Sequence, residues 1–411
     1  MPMPNKNTIG ITIKVKLKLQ NPDDADLFTD TMDHFKNACN YVSQYIFEHD
    51  FIMDQLKIQK KIYHNIRLKF GLKSQMAIST IRCVVARYKT VQKQLVRHPY
   101  KYKDINTNEW HYEKRDLNWL QKPIQFKRLQ ADLVRNRDYS YQTDSKMLSI
   151  STLQNRVLVT PICHGFDQYL DGSYKLGTAK LLKTGNKWYL HISATKHIDE
   201  FDMTDVKHVV GIDRGLRFLA TTYDEQGKTT FYDGQKIMRK RAKYQRLRTQ
   251  LQSKGTKSAK RRLKKLSGRE NRWMTDVNHQ LSKTLVQKYG SNTLFVIEDL
   301  TGVNFNRDDL PKTLRYQNSS WSFYQLEQFL TYKALQNHSK VFKVPAAYTS
   351  QRCPKCGVIK KSNRDHDTHL YHCTNCNYSS NDDRIGAINI QLLGTLYTTG
   401  TKHPKFVKEE D

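Results

Sequence analysis

Residues 206–234, VKHVVGIDRGLRFLATTYDEQGKTTFYDG, decide how the rest of the chain is read. Val209, Val210 and Ile212 form a short apolar run that stops on a carboxylate, Asp213. Phe218–Tyr223 is a second β-prone run, and Asp224-Glu225-Gln226-Gly227 supplies a tight turn into a third. The stretch predicts three strands joined by tight turns. Downstream, TLFVIEDL at 293–300 is a further apolar strand, with Glu298 near its end. Helices are expected near 274–288 and 321–337, a strand at 340–345, and a short helix beginning near Asp382 and Asp383. This alternation predicts an α/β segment with acids at the ends of its elements.

The stretch at 236–272 has a different character, with 16 Lys or Arg and a single acid, Glu270. Leu247, Leu251, Leu263 and Leu266 keep a partial helical stripe, so a basic hairpin that tracks phosphates is expected. Toward the N-terminus, Ile9, Ile11, Ile13, Val15, Leu17 and Leu19 alternate with Lys14, Lys16 and Lys18, the pattern of a half-buried strand. Phe28, Met32, Phe35, Cys39, Val42 and Ile46 form one helical stripe, and Ala77, Ile81, Val84, Tyr88, Val91 and Leu95 form another. Residues 20–98 therefore read as an antiparallel helical unit with basic outer faces. RVLVTPI, YKLGTAKLL and KWYLHISATK then predict a small β-barrel or sandwich over 100–200, with the strand at 9–19 as its paired edge. The polar end after about 396 is expected to be disordered.

The chain has 411 residues and a formal charge of +30, which points to a polyanionic partner. An aromatic fraction of 11 % is enough to build cores, so global disorder is excluded. No run approaches the roughly 18–20 apolar residues of a membrane span, and the alternating start has no signal-peptide core. A cytoplasmic protein without membrane partners is expected. Tyr100, Tyr102, Trp110 and Tyr112, interleaved with Lys101 and Lys103, suit stacking and phosphate contacts, or an ordinary aromatic core.

Cys39, Cys83 and Cys163 are scattered, and Cys39 lies on an apolar stripe as a small buried hydrophobe. Cys353, Cys356, Cys373 and Cys376 form two Cys-x2-Cys pairs, with 16 residues between the pairs. That spacing predicts one structural Zn²⁺ held by four thiolates. His366, His369 and His372 lie between the pairs, but four cysteines make a histidine ligand unnecessary. Asp213, Glu298 and the Asp382/Asp383 pair each have an ordinary explanation, as strand-end or helix-capping acids. Together, in so basic a segment, they suggest a carboxylate cluster holding two Mg²⁺ ions for phosphodiester chemistry. Asp299 points to the opposite face of its strand from Glu298.

The segments GIDRGLRFLATTYD, FVIEDLTGVN and YTSQRCPKCG…YHCTNCNYSSNDDRIGAINI resemble the three RuvC-type nuclease segments and the zinc ribbon of TnpB. TnpB is the RNA-guided endonuclease of bacterial insertion sequences, and it is similar to the miniature type V CRISPR effectors. The resemblance covers 206–392 and extends more weakly to the N-terminal half. It implies an α/β and α+β multidomain chain. The expected parts are a β-barrel wedge domain (1–20 and 100–200), a helical recognition domain (21–99), an RNase H-like RuvC core (201–345 and 379–395) and a zinc ribbon (346–378). A disordered tail (396–411) would follow. It implies Asp213, Glu298 and Asp383 as the catalytic Mg²⁺ ligands, with Asp382 as N-cap and as competitor for the third place. Ile385 and Gly386 stand where the family has Asn and Ala.

The implied activity is RNA-guided cleavage of DNA beside a short flanking motif, by a monomer with one guide RNA, with the protein nucleoid-associated when on target. The alternatives are an RNA-guided DNA-binding regulator with little cleavage, or a CRISPR effector rather than a transposon-encoded protein. Lys260, Arg261, Arg262, Lys264 and Lys265 are the expected nucleic-acid contacts.

Overall fold

The alternating start of the chain becomes one strand, β1 (Thr8–Leu19), with Ile9, Ile13, Val15 and Leu17 buried and Lys14 and Lys18 exposed. The computed structural model describes residues 8–162, 165, 167–300, 323–365 and 368–408. Cys163, His366, the Gly302-Val303-Asn304 end of the second nuclease-like segment, and the first two residues of the helix expected at 321–337 lie outside these. The chain divides into two units between His197 and Ile198.

In the first unit, β1 is followed by three helices, α1 (Asp24–Glu48), α2 (Gln55–Phe70) and α3 (Ser74–Arg97). The α1 stripe from Phe28 to Ile46 is buried along its whole length, and Ala77, Ile81, Val84 and Tyr88 of α3 are buried in the same core. α2 is delimited by local chemistry. Asp54 accepts from the Leu56 and Lys57 amides at its start, and Gly71 takes a left-handed φ of 60° at its end. A two-stranded ribbon follows, β2 (Tyr100–Lys103) and β3 (Trp110–Glu113), all of whose residues are exposed.

The rest of the unit is β4 (Gln130–Leu133), β5 (Tyr139–Gln142), β6 (Met147–Ser151), β7 (Arg156–Ile162), β8 (Lys175–Thr184) and β9 (Lys187–His197). With β1 they make a seven-stranded sheet in the order β4-β8-β9-β1-β7-β6-β5, paired antiparallel throughout. The strand expected at an edge is interior. β1 pairs with β9 on one side (Val15 opposite Leu190) and β7 on the other (Lys16 opposite Ile162). Its neighbours are distant in sequence, and alternation reports which face is buried but not which strands flank it.

The second unit opens with the meander read from the sequence, β10 (His208–Asp213), β11 (Phe218–Tyr223) and β12 (Thr229–Asp233). Asp224 closes the second turn by accepting from the Gln226 and Lys228 amides. α4 (Gln235–Lys254) and α5 (Lys257–Tyr289) follow, turned at Gly255 (φ 62°), with the Thr256 hydroxyl capping α5 at the Ala259 amide. The helix expected near 274–288 is the second half of α5, because the basic stretch continues into it without a break. Lys260, Arg261, Arg262, Lys264 and Lys265 are exposed on α5. Not every cation of the basic hairpin faces solvent: Arg241 is buried, and Arg248 pairs with Glu270.

β13 (Thr293–Asp299), α6 (Phe323–Gln336) and β14 (Lys340–Pro345) complete a five-stranded sheet in the order β12-β11-β10-β13-β14. β10, β13 and β14 are mutually parallel, while β11 and β12 are antiparallel additions. The cysteine segment carries three short strands, β15 (Arg364–Asp365), β16 (Leu370–His372) and β17 (Ser379–Asn381), and α7 (Asp382–Thr398) follows. Sheet parity sorts the core. Val210, Ile212, Phe295 and Ile297 pack with α5 and α6, while Val209, Leu294 and Val296 pack with Ile390 and Leu393 of α7.

The tail expected to be disordered from 396 is ordered through 408. α7 runs to Thr398, Pro404 is buried, and Phe406 packs against the core beneath the Arg352 guanidinium, 4.8 Å from the ring centre. Among the described residues no helix is long and apolar enough to cross a membrane.

Candidate metal centre and its carboxylates

The parity that sorts the core also places the acids. Asp213 continues the alternation Val209, Gly211, and Glu298 continues Leu294, Val296, so both carboxylates rise from the α7 face of adjacent parallel strands. They sit at the carboxyl ends of those strands, where open α/β sheets gather their ligands. Asp299 is on the other face, with its Oδ1 3.4 Å from Lys343 Nζ. α7 can come down on β10 because Gly211 has no side chain. A Cβ there would lie 2.2 Å from the Ala387 carbonyl oxygen. Gly386 faces Asp213, whose Cγ and Oδ2 would be 3.0 Å from an added Cβ. The first turn of α7 thereby brings Asp383 over the strand ends.

The electrostatics follow from this crowding. Burial pushes the Asp213 carboxyl well above its ordinary value, and the Glu298 and Asp383 carboxylates push it further, with Arg364 opposing. Glu298 is raised by burial, against the Thr349 hydroxyl that donates to its Oε1 at 2.5 Å and the nearby Arg214 and Arg364. Asp383 is raised by burial and by Asp382, against Arg364, His369 and Arg217. Buried acids that disfavour their own charge in this way have the chemistry of a divalent-cation site. Among the described residues, however, the carboxylates whose oxygens lie within 4.8 Å of one another in a ligand group are Asp382 and Asp383, with His369, and Asp213 and Glu298 stand apart from that group.

Asp382 and Asp383 have different surroundings. The N-cap expected at Asp382 is one residue earlier. The Asn381 side chain accepts from the Arg384 amide. Asp382 is fully buried, with its Oδ2 3.0 Å from Arg364 Nη2, and its Oδ1 accepts from the Asp383 amide. Asp383 is partly exposed.

Two side chains that support the acids are not among the site residues expected from the sequence. Arg214 is buried behind the strand end, donating to the Glu298 carbonyl at 2.6 Å and lying 3.4 Å from Glu327. Asn389 is buried in α7 and donates to the carbonyls of Thr349 and Arg352, both at 2.8 Å. It thereby fixes the residue whose hydroxyl holds Glu298. A polar residue within the apolar run AINI was the available clue to Asn389, and the position next to Asp213 was the clue to Arg214.

The cysteines converge as their spacing predicts. All four Sγ atoms lie within 4.8 Å of one another, with Cys353–Cys376 at 3.6 Å and Cys356–Cys373 at 3.5 Å. Tetrahedral thiolates about 2.3 Å from a metal would be about 3.8 Å apart, so the quartet fits one ion. Each pair is a turn of the same form. The amides of Cys353 and Cys373 donate to Val358 and Tyr378, and Gly357 and Asn377 take positive φ values of 82° and 58°. Backbone N–H groups turn to the sulfurs, and the Val358 amide is the main reason that Cys356 is lowered to about 6. Among the described residues, neither His369 nor His372 joins this quartet.

Comparison with known proteins agrees with this architecture. A family model described as a Cas12f1-like TNB domain matches residues 323–390, and one described as a probable transposase matches 196–305. The CRISPR-associated endodeoxyribonuclease Cas12f1 of Sulfoacidibacillus thermotolerans is 26 % identical over 369 residues, covering 83 % of this chain and 82 % of that protein. A TnpB-like protein of Methanocaldococcus jannaschii is 27 % identical over 234 residues, covering 54 % of this chain and 80 % of that protein. A Cas12f1 solved by cryo-EM with sgRNA and target DNA shares the fold, with a TM-score of 0.57 at 11 % identity, covering 94 % of this chain and 99 % of that one.

Proposed function

We propose that this relative of Cas12f1 and of the TnpB-like proteins is an RNA-guided DNA endonuclease. The observation that supports the reading is that Asp213 and Glu298 rise from one face at the ends of adjacent parallel strands, with Asp383 of α7 beside the end of β10, in a chain similar to a protein named an endodeoxyribonuclease. On this reading the five-stranded sheet with its helices is the RuvC-type core. The segment around the cysteine quartet is its zinc ribbon, and the seven-stranded sheet with α1 to α3 is the wedge with a helical recognition insertion. Pairing with a bound guide RNA selects the target, and the protein reads backbone shape and a short flanking motif.

Asp213, Glu298 and Asp383 would hold Mg²⁺, which when bound supplies Lewis acidity and an activated water for hydrolysis of the phosphodiester. The chain's other groups keep those acids in place. Thr349 orients the Glu298 carboxylate, Arg214 anchors the end of its strand, and Asp382 holds Arg364 beside Asp383. The four cysteines would hold Zn²⁺ as a closed structural site, tying the segment after β14 to the start of α7. The exposed cations of α5 give phosphate contacts that position nucleic acid without reading its sequence.

The test is cleavage of matched and mismatched plasmids by the chain loaded with the RNA that copurifies with it. Asp213→Ala should abolish cutting and leave guide-dependent DNA binding nearly intact. Site-specific cutting by RNA-free protein would overturn the RNA-guided reading, and cutting by Asp213→Ala would overturn the carboxylate assignment.

A further inference from the structure

His369 lies between the cysteine pairs in sequence, yet its ring belongs to the carboxylate end of the unit. A ring nitrogen of His369 and carboxylate oxygens of Asp382 and Asp383 all lie within 4.8 Å of one another. The backbone holds the ring there. His369 has a positive φ of 58°, and its carbonyl accepts from the Asp382 amide at 3.2 Å and from Asn381 Nδ2 at 3.3 Å. A non-glycine residue in that region is held by its surroundings, and here the first turn of α7 does so.

The ring itself is less well satisfied. The His369 side chain is one-third exposed, and its Nδ1 is turned inward, within ion-pair distance (3.4 Å) of Asp382 Oδ2 but without a hydrogen bond. An imidazole nitrogen turned inward against two carboxylates, with no hydrogen bond to either, has the arrangement of a metal ligand. Asp382 already spends its charge on Arg364, so the carboxylate left for a cation beside His369 is Asp383.

We propose that His369 is a nitrogen ligand to a divalent cation held at Asp383, making this a mixed nitrogen and oxygen centre that favours Mn²⁺ over Mg²⁺. The inference rests on the reading of Asp213, Glu298 and Asp383 as metal ligands, and it adds a residue outside the motif that suggested them. Mg²⁺ strongly prefers oxygen donors, whereas Mn²⁺ accepts imidazole more readily, so a histidine in the ligand set shifts the choice of ion.

The experiment is a Mn²⁺ titration of the full chain, with zinc retained in the ribbon, followed by pulsed EPR on unlabelled and ¹⁵N-labelled protein. Wild type should show ¹⁴N modulation that changes to the ¹⁵N pattern on labelling, a result that needs no variant. His369→Ala should lose this modulation and bind Mn²⁺ roughly tenfold more weakly, with Mg²⁺ binding changed much less. Unchanged zinc content in that variant shows that the ribbon is intact. Wild-type Mn²⁺ bound without nitrogen modulation, or modulation that survives in His369→Ala, overturns the proposal and leaves the carboxylate centre standing. Mn²⁺ bound equally well by Asp213→Asn and Asp383→Asn would overturn the carboxylate centre itself.

Discussion

Replacing Asn389 by leucine keeps the side-chain size and removes the donor that two backbone carbonyls share. In the native structure Asn389 Nδ2 lies 2.8 Å from both the Thr349 and the Arg352 oxygens, and Asn389 and Thr349 are buried. A buried acceptor left without its donor costs about 1–3 kcal/mol. Thr349 falls in the middle of that range, and the partly exposed Arg352 carbonyl near its lower end. The sum is about 3 kcal/mol, which for a unit of roughly 200 residues lowers Tm by about 6–12 °C. The loss has a direction as well as a size. Thr349 also donates to Glu298 Oε1, so freeing its backbone releases the carboxylate from its position. Hydrogen exchange read by mass spectrometry in mild denaturant should show lost protection at 348–353 and in α7, with residues 8–197 unchanged as an internal control. Cleavage should fall alongside. A variant within about 0.5 kcal/mol of wild type, with protected amides at 348–353, would refute the reasoning, because water or a backbone shift would then be satisfying both carbonyls.

The neighbouring acids separate by assay. Asp383→Asn should lose divalent-cation binding and cleavage at nearly native stability, whereas Asp382→Asn should lower stability by about 2–4 kcal/mol while retaining cation binding, because it leaves the Arg364 charge unpaired. The opposite pattern would make Asp382 the ligand. Cys373→Ser should lower the zinc content from one ion per chain and speed hydrogen exchange around Asp383, since metal binding supplies folding free energy to a module this small; full zinc occupancy would show the quartet misread. Replacing Lys260, Arg261, Arg262, Lys264 and Lys265 by glutamine should weaken nucleic-acid binding and reduce the slope of log K against log salt by about 3–5, without changing which sequence is cut. An unchanged slope would place the phosphate contacts elsewhere.

Local chemistry made much of this protein legible without a structure. Alternation marked β1, helical stripes marked α1 and α3, and a run of apolar residues ending on an acid marked β10 and β13, because each pattern depends on neighbours within a few residues. The cysteine quartet was legible for a related reason. Two turns of the same form each present two cysteines, and the four sulfurs come within 4.8 Å of one another, close enough to hold one ion. α2 was missed although its caps at Asp54 and Gly71 are ordinary signals, since its apolar face carries only Ile58, Ile62 and Ile66 at intervals of four. What the tertiary structure decided is everything set by contacts between residues far apart in the chain. The sheet order put β1 between β9 and β7, and the close approach of α7 at Gly211 and Gly386 lowered Asp383 onto the strand ends. That descent separated two adjacent aspartates into a buried partner for Arg364 and a partly exposed acid, and it turned a histidine of the cysteine segment toward them. No periodicity in the sequence reports such distances. They are fixed where two packed surfaces meet, and a missing side chain at one glycine decides how closely they do.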